Sequence, residues 1–144
     1  MFNTCIKILL NEEKYTDATQ INLGQSRIGG SIIDYPKSET IADNLYLLAQ
    51  LNLSDIKSSE FKDLLPASGF LYFLVEDDYL EGCVKYFDVP VEQLVRLHHQ
   101  NEAYEIGRKI TGFADQFLPD EDEDAYEEWR DTIKVQYQNV RKYT

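Results

Sequence analysis

The chain is poor in the residues that carry most reactive chemistry. Its 144 residues include two cysteines, two histidines, one tryptophan and one methionine. No apolar run approaches the roughly 20 residues that a membrane-spanning helix needs. Cys5 and Cys83 each sit in a strand-like run, with no C-x-x-C and no Cys/His metal spacing beside them. They read as buried, reduced thiols that behave as small hydrophobes, because disulfides are rare in the cytosol. His98 and His99 are adjacent, and neighbours on a helix diverge by about 100°, so the two cannot grip one metal from a helix. No H-x-x-x-H, H-E-x-x-H or G-x-S-x-G occurs. His98 therefore reads as a core or boundary residue, and neither a cofactor nor a metal is expected. Residues 1–10 lack the basic segment and long apolar segment of a signal peptide. A cytoplasmic location with no membrane association is the resulting expectation.

Positive charge is scarce as well. Fourteen Lys and Arg stand against 26 Asp and Glu, a formal net charge of −12. Such a field repels nucleic acid and anionic lipid, while it attracts basic proteins and raises their association rates over a Debye length. Nucleic-acid binding is thereby disfavoured.

What the chain does have is apolar and aromatic surface to bury. It is 43% hydrophobic, with ten Tyr and seven Phe, and its length suits one domain that hides roughly 70% of the surface its unfolded chain would expose. Cys5–Leu10, with Ile6 and Ile8, reads as a first strand ended by Asn11-Glu12-Glu13-Lys14. Leu45–Leu53 and Gly69–Glu76 read as central strands, and Asp77–Gly82 as the loop of a hairpin to a strand at Cys83–Phe87. Ser54–Leu65 has near-helical spacing and stops before Pro66. Val91, Leu94, Val95 and His98 fall at i, i+3, i+4 and i+7, which predicts a short amphipathic helix. Tyr104, Ile106 and Ile110 predict an edge strand through Lys109. In the last segment Tyr126, Trp129, Ile133, Tyr137 and Val140 form one stripe, with acids crowding its start and bases its end, which predicts a long helix over 120–143.

Gly24-Gln25-Ser26-Arg27-Ile28-Gly29-Gly30-Ser31 superficially fits a phosphate loop. Its lysine position is Gly30, however, and Ile32-Ile33-Asp34-Tyr35-Pro36 cannot open the helix that would hold the phosphate. The glycines read instead as structural, at positive φ or close packing, with Arg27 hydrogen-bonded to loop carbonyls.

Five segments taken together point to a family. Ser26-Arg27-Ile28-Gly29-Gly30, Tyr35-Pro36, Leu47-Leu48-Ala49-Gln50-Leu51-Asn52-Leu53, Leu65-Pro66-Ala67-Ser68-Gly69-Phe70-Leu71-Tyr72-Phe73 and Cys83-Val84-Lys85-Tyr86-Phe87 follow one another in order. Over about residues 21–87 the chain resembles the YwqG-like domain, a bacterial family of unknown biochemical function. The second half of that family's pattern is missing, so the resemblance implies a half-length domain. It also implies a setting among bacterial toxin and immunity genes.

These readings combine into a single α+β domain over 1–144, a mostly antiparallel sheet packed by helices and closed by the long C-terminal helix. The expected function is non-catalytic: an immunity protein that neutralises a cognate toxin, plausibly a basic nuclease, by direct binding. Its expected contact residues are Asp122, Asp124, Tyr126, Glu127, Glu128 and Trp129, joined by Asp77 and Asp78 in the hairpin loop. A run of acids is most often a solvated face, while Tyr and Trp among charges are the residue types that anchor interfaces. A regulatory or small-molecule-binding module is the alternative. A hydrolase that uses the clustered carboxylates is a third reading.

Overall fold

Alternation of period two, the signature of a strand with one face inside, organises most of the apolar segments in the structure. The computed structural model describes residues 4–15, 18–58, 61, 63–76, 81–98 and 107–117. Eight strands are present among them: β1 (Thr4–Tyr15), β2 (Arg27–Gly29), β3 (Ile32–Pro36), β4 (Leu45–Asn52), β5 (Phe70–Glu76), β6 (Gly82–Phe87), β7 (Leu94–His98) and β8 (Gly107–Phe117). Six of them form one sheet in the order β1-β8-β2-β4-β5-β6, and β3 and β7 form a second, two-stranded sheet. Every pairing is antiparallel.

β5 shows how the core is written in the sequence. Phe70, Tyr72 and Leu74 are buried and alternate with half-buried Leu71, Phe73 and Val75. The buried set meets Ile33, Tyr35 and Leu94 of the small sheet, with Leu47 from β4. Tyr35 packs edge-on against Tyr72 at a centroid separation of 4.9 Å and against Phe87 at 5.3 Å, the geometry that the ring quadrupoles prefer. A register shift between Leu47 and Ala49 interrupts the β4–β5 ladder. The extra residue lets Leu47 and Gln50, three apart, both turn inward, which strict alternation forbids.

The expected strands at 45–53, 69–76 and 83–87 are present, and the hairpin joins β5 to β6. The α+β assignment is corrected: the described residues form a mostly antiparallel β fold. They contain no α-helix, only one-turn 3-10 segments at Ala18–Gln20, Leu53–Asp55 and Val91–Gln93. Over the described residues of 54–65, which are 54–58, 61 and 63–65, the expected helix is replaced by one such turn and irregular chain. At 91–98 a turn leads into β7, because strand pairing with β3 places Arg96 opposite Asp34 and buries Leu94 in the core. The helix expected over 120–143 lies outside the described residues. β1 runs on past Leu10 through Asn11-Glu12-Glu13-Lys14: its register with β8 breaks after Leu10, opposite Ile110, and resumes at Lys14, opposite Arg108. β8 is not an edge: it lies between β1 and β2. No helix among the described residues is long and apolar enough to cross a membrane.

The β2–β3 connection depends on Gly29 and Gly30, whose φ values of 71° and 89° fall in the left-handed region. At Gly30 a Cβ would also come within 2.9 Å of the Tyr15 hydroxyl, and Tyr15 is itself buried. Gly30→Ala is expected to destabilise the protein by roughly 1 kcal/mol or more, from strained backbone and the Tyr15 contact together. A urea titration of both proteins measures this, and an unchanged midpoint would contradict it.

Candidate functional site

β3 is buried along its whole length, yet among the described residues only β7 pairs with it. Its other row of backbone groups therefore needs partners, because an unpaired buried amide or carbonyl is costly. Side chains of the large sheet supply them. Arg27 on β2 donates from Nε and Nη2 to the Ile32 carbonyl at 3.3 and 3.2 Å. The Asp34 amide donates to Gln50 Oε1 at 3.0 Å, and the Tyr72 hydroxyl donates to the Asp34 carbonyl at 2.5 Å. Arg27, Gln50 and Tyr72 thus occupy the place of a third strand.

The Asp34 carboxylate is the centre of charge in this cluster. Arg96 of β7 grips it with Nε on Oδ1 at 2.9 Å and Nη2 on Oδ2 at 3.3 Å, a fork that matches the carboxylate. Arg27 Nη2 lies 3.0 Å from Oδ2, and the Gly24 amide donates to the same oxygen at 2.8 Å. Arg27 and Asp34 are fully buried, and the Arg96 side chain is 22% exposed. Gln50 Oε1 also accepts from Arg27 Nη2, while its Nε2 donates to the Gln25 carbonyl, as does Arg27 Nη1. Burial works against the Asp34 charge, but the Arg96 fork, the Arg27 guanidinium and the Gly24 amide outweigh it and hold the carboxyl below its usual range.

Two tyrosines flank the cluster. Burial is the main cause that pushes the Tyr15 hydroxyl up to about 12, and it pushes Tyr72 up as well, with the Asp34 charge adding to the effect. Both stay protonated at neutral pH and act as hydrogen-bond donors, Tyr15 to the Gly29 carbonyl at 3.4 Å. Ser26 closes the arrangement from the β2 side: its Oγ accepts from the Asn52 amide at 2.8 Å, and its carbonyl accepts from the Ile110 amide at 2.9 Å. The chemistry of this centre is that of a clasp. Each charged or amide group in it is engaged by another part of the protein, so its donors and acceptors are committed to joining the two sheets.

The expected contact residues lie elsewhere. Asp77, Asp78, Asp122, Asp124, Tyr126, Glu127, Glu128 and Trp129 all fall outside the described residues. His98, expected in the core or at its boundary, is exposed at the end of β7, and Cys5 and Cys83 are half-buried free thiols. The expectation that Arg27 bonds to local carbonyls holds, at Gln25 and Ile32. Sequence reasoning passed over Asp34, Gln50 and Arg96 as a set. A signal was present, because Asp34 and Gln50 interrupt apolar runs, and an Asp or Gln kept at such a position needs a buried partner. A cleft of about 260 Å³ opens in the loop after β4, lined by Ser54, Ile56, Lys57, Ser58, Phe61 and Leu65 among others.

A family model described as "Domain of unknown function (DUF1963)" matches residues 26–140, reaching well beyond residue 87. No curated protein and no solved structure matches the chain.

Breaking the clasp at Asp34 has a definite pH signature. Asp34→Asn leaves two guanidiniums facing a neutral group, and removal of one partner from a buried ion pair costs about 3–5 kcal/mol. The folded-state pKa of Asp34 lies below the unfolded value of roughly 3.9. Its charge therefore contributes stability that is present above that value and is lost as the pH falls through the folded pKa. The stability gap between wild type and Asp34→Asn is expected to be constant from pH 7 to about 5 and to narrow below about 4. Urea unfolding across that range measures it, and a gap that does not change with pH would contradict the assignment.

Proposed function

Starting from the DUF1963 family, to which this chain belongs, we propose that the protein is a non-catalytic inhibitor that binds a basic partner protein, in the manner of an immunity protein against a toxin. The observation that carries this reading is the charge: −12 on 144 residues favours encounter with a basic protein and opposes nucleic acid and anionic lipid. The clasp at Asp34 supports it indirectly, since the most concentrated polar chemistry of the described residues is committed to the fold and leaves recognition to the surface. The resemblance to the YwqG-like domain, with its toxin and immunity setting, supports the same reading. A basic nuclease is the partner class that this charge suits best.

A second reading, a small-molecule-binding module, rests on the cleft beside Ser54 and Lys57. It predicts that a metabolite raises the thermal midpoint in the absence of any protein partner. The inhibitor reading predicts a single tight partner of fixed stoichiometry.

Neutralisation of Asp122, Asp124, Glu127 and Glu128 to Asn or Gln is expected to slow association with that partner and to flatten its salt dependence, while dissociation changes less, because peripheral charges act mainly on encounter. Tyr126→Ala is expected to speed dissociation instead, at a cost of about 2 kcal/mol or more if that ring is an anchor. Stopped-flow or surface-based kinetics with the purified partner, with circular dichroism to verify folding, measures both. A neutralised variant that associates as fast as wild type at low salt would remove these acids from the interface.

A further inference from the structure

The two edges of the six-stranded sheet are built differently. β1 meets β8 through register shifts at Leu9/Leu10 and Leu10/Lys14, irregularities that spoil an edge as a template for another strand. β6 meets β5 in unbroken register from Val75 opposite Gly82 to Phe70 opposite Phe87. Among the described residues no strand lies on its outer side.

The direction of the free backbone groups follows from one bond. The Glu76 amide donates to the Glu81 carbonyl at 2.9 Å, so antiparallel alternation makes Leu74/Cys83, Tyr72/Lys85 and Phe70/Phe87 the bonded pairs that follow. Gly82, Val84 and Tyr86 therefore turn their amides and carbonyls outward. Val84 is 56% exposed and Tyr86 41%, and their register partners Phe73 and Leu71 are half-buried beside them. Cys83 and Phe87 pack the other way, against the core. An apolar strip and a row of outward hydrogen-bonding groups thus coincide on one edge.

Charge selects the occupant. Glu76 and Glu81 stand at one end of the hairpin and Asp88 at the other, with the single basic residue of β6, Lys85, between them and on the opposite face from Val84 and Tyr86. A second copy added about a two-fold axis through Val84 would pair Gly82 with Tyr86 and set Glu81 of one copy opposite Phe87, next to Asp88, of the other at both ends, on chains that each carry −12. We propose that the outer edge of β6 takes up an extended segment of a basic protein, with alternating apolar and basic residues, as an added antiparallel strand. Backbone bonds to Val84 and Tyr86 supply affinity, and the flanking acids supply selectivity. The proposal rests on the basic-partner reading and names the surface it uses.

The probe is a short synthetic peptide of alternating valine and lysine, with a valine and glutamate peptide as control, added to the full chain while amide exchange is followed by NMR. The valine and lysine peptide is expected to slow exchange at Val84 and Tyr86 by at least about tenfold, and the acidic peptide to leave it unchanged. Val84→Pro removes an outward donor and no bond to β5, so it should abolish the slowing at Tyr86. A double variant, Glu81→Lys with Asp88→Lys, should shift preference towards the acidic peptide, which tests the same edge if the proline variant does not fold. Equal slowing by both peptides, slowing only at other amides, or slowing that rises with protein concentration without peptide would each overturn the proposal, the last in favour of a second copy. If the peptide docks but the host contains no stoichiometric basic partner, the edge stands and the inhibitor reading falls. If a basic partner binds while the Val84 and Tyr86 amides still exchange freely, the edge falls and the reading stands.

Discussion

A strand with a neighbour on one side only must satisfy its second row of amides and carbonyls by other means, and for β3 those means are side chains. Arg27, Gln50 and Tyr72 reach from the large sheet to Ile32 and Asp34 at 2.5 to 3.3 Å. These bonds fix the spacing and the angle of the two sheets, since each side chain has a defined reach and each backbone group a defined direction. The apolar contacts of Tyr35 with Tyr72 and Phe87 then fill the space that the bonds define. Burial drives the layers together without direction, and the polar clasp selects one arrangement among the many that burial alone would allow.

The electrostatics of the clasp follow from its stoichiometry. Two guanidiniums share one carboxylate, and the more buried of them, Arg27, spreads its remaining donors over the Ile32 and Gln25 carbonyls and Gln50. Arg96, the partly exposed one, contributes the fork to Asp34 and also donates to the Ile21 carbonyl at 3.1 Å. A carboxylate with this many donors remains charged in the folded protein. Reactive use of such a group would require it to give up bonds on which the sheet packing depends. For this reason the proposed recognition of a basic partner falls to charge and to the sheet edge, and not to the polar interior.

Much of the sheet was legible because β4, β5 and β6 are rich in aromatic and branched residues bounded by turn residues, and the β5–β6 hairpin announces itself in Asp77–Gly82. The segment Val91–His98 was not, because spacings of three and four residues fit a helix face, while the pairing that overrides them, Arg96 with Asp34, lies 62 residues apart in sequence. The bulge at Leu47–Ala49 hid the inward turn of Gln50 for a similar reason: alternation read forward from Leu47 sends Gln50 to the other face. Ser26, Arg27 and the two glycines were visible as a motif, but its purpose was not, since its partners are the carbonyl of Ile32 and the side chains of Asp34 and Gln50. A local pattern names the residues that matter. Only the crossing of strands reveals what each one holds.

If side chains do serve as the third strand for β3, the amide of Asp34 belongs to the most protected class in the molecule, although it points away from β7. Native-state hydrogen exchange at that amide is the direct measurement. The account predicts that it exchanges only through global unfolding, with the same denaturant dependence as the amides of β4 and β5, and that Gln50→Leu releases it selectively. Exchange of the Asp34 amide through a local opening in the wild-type protein, with no sensitivity to Gln50, would contradict the account.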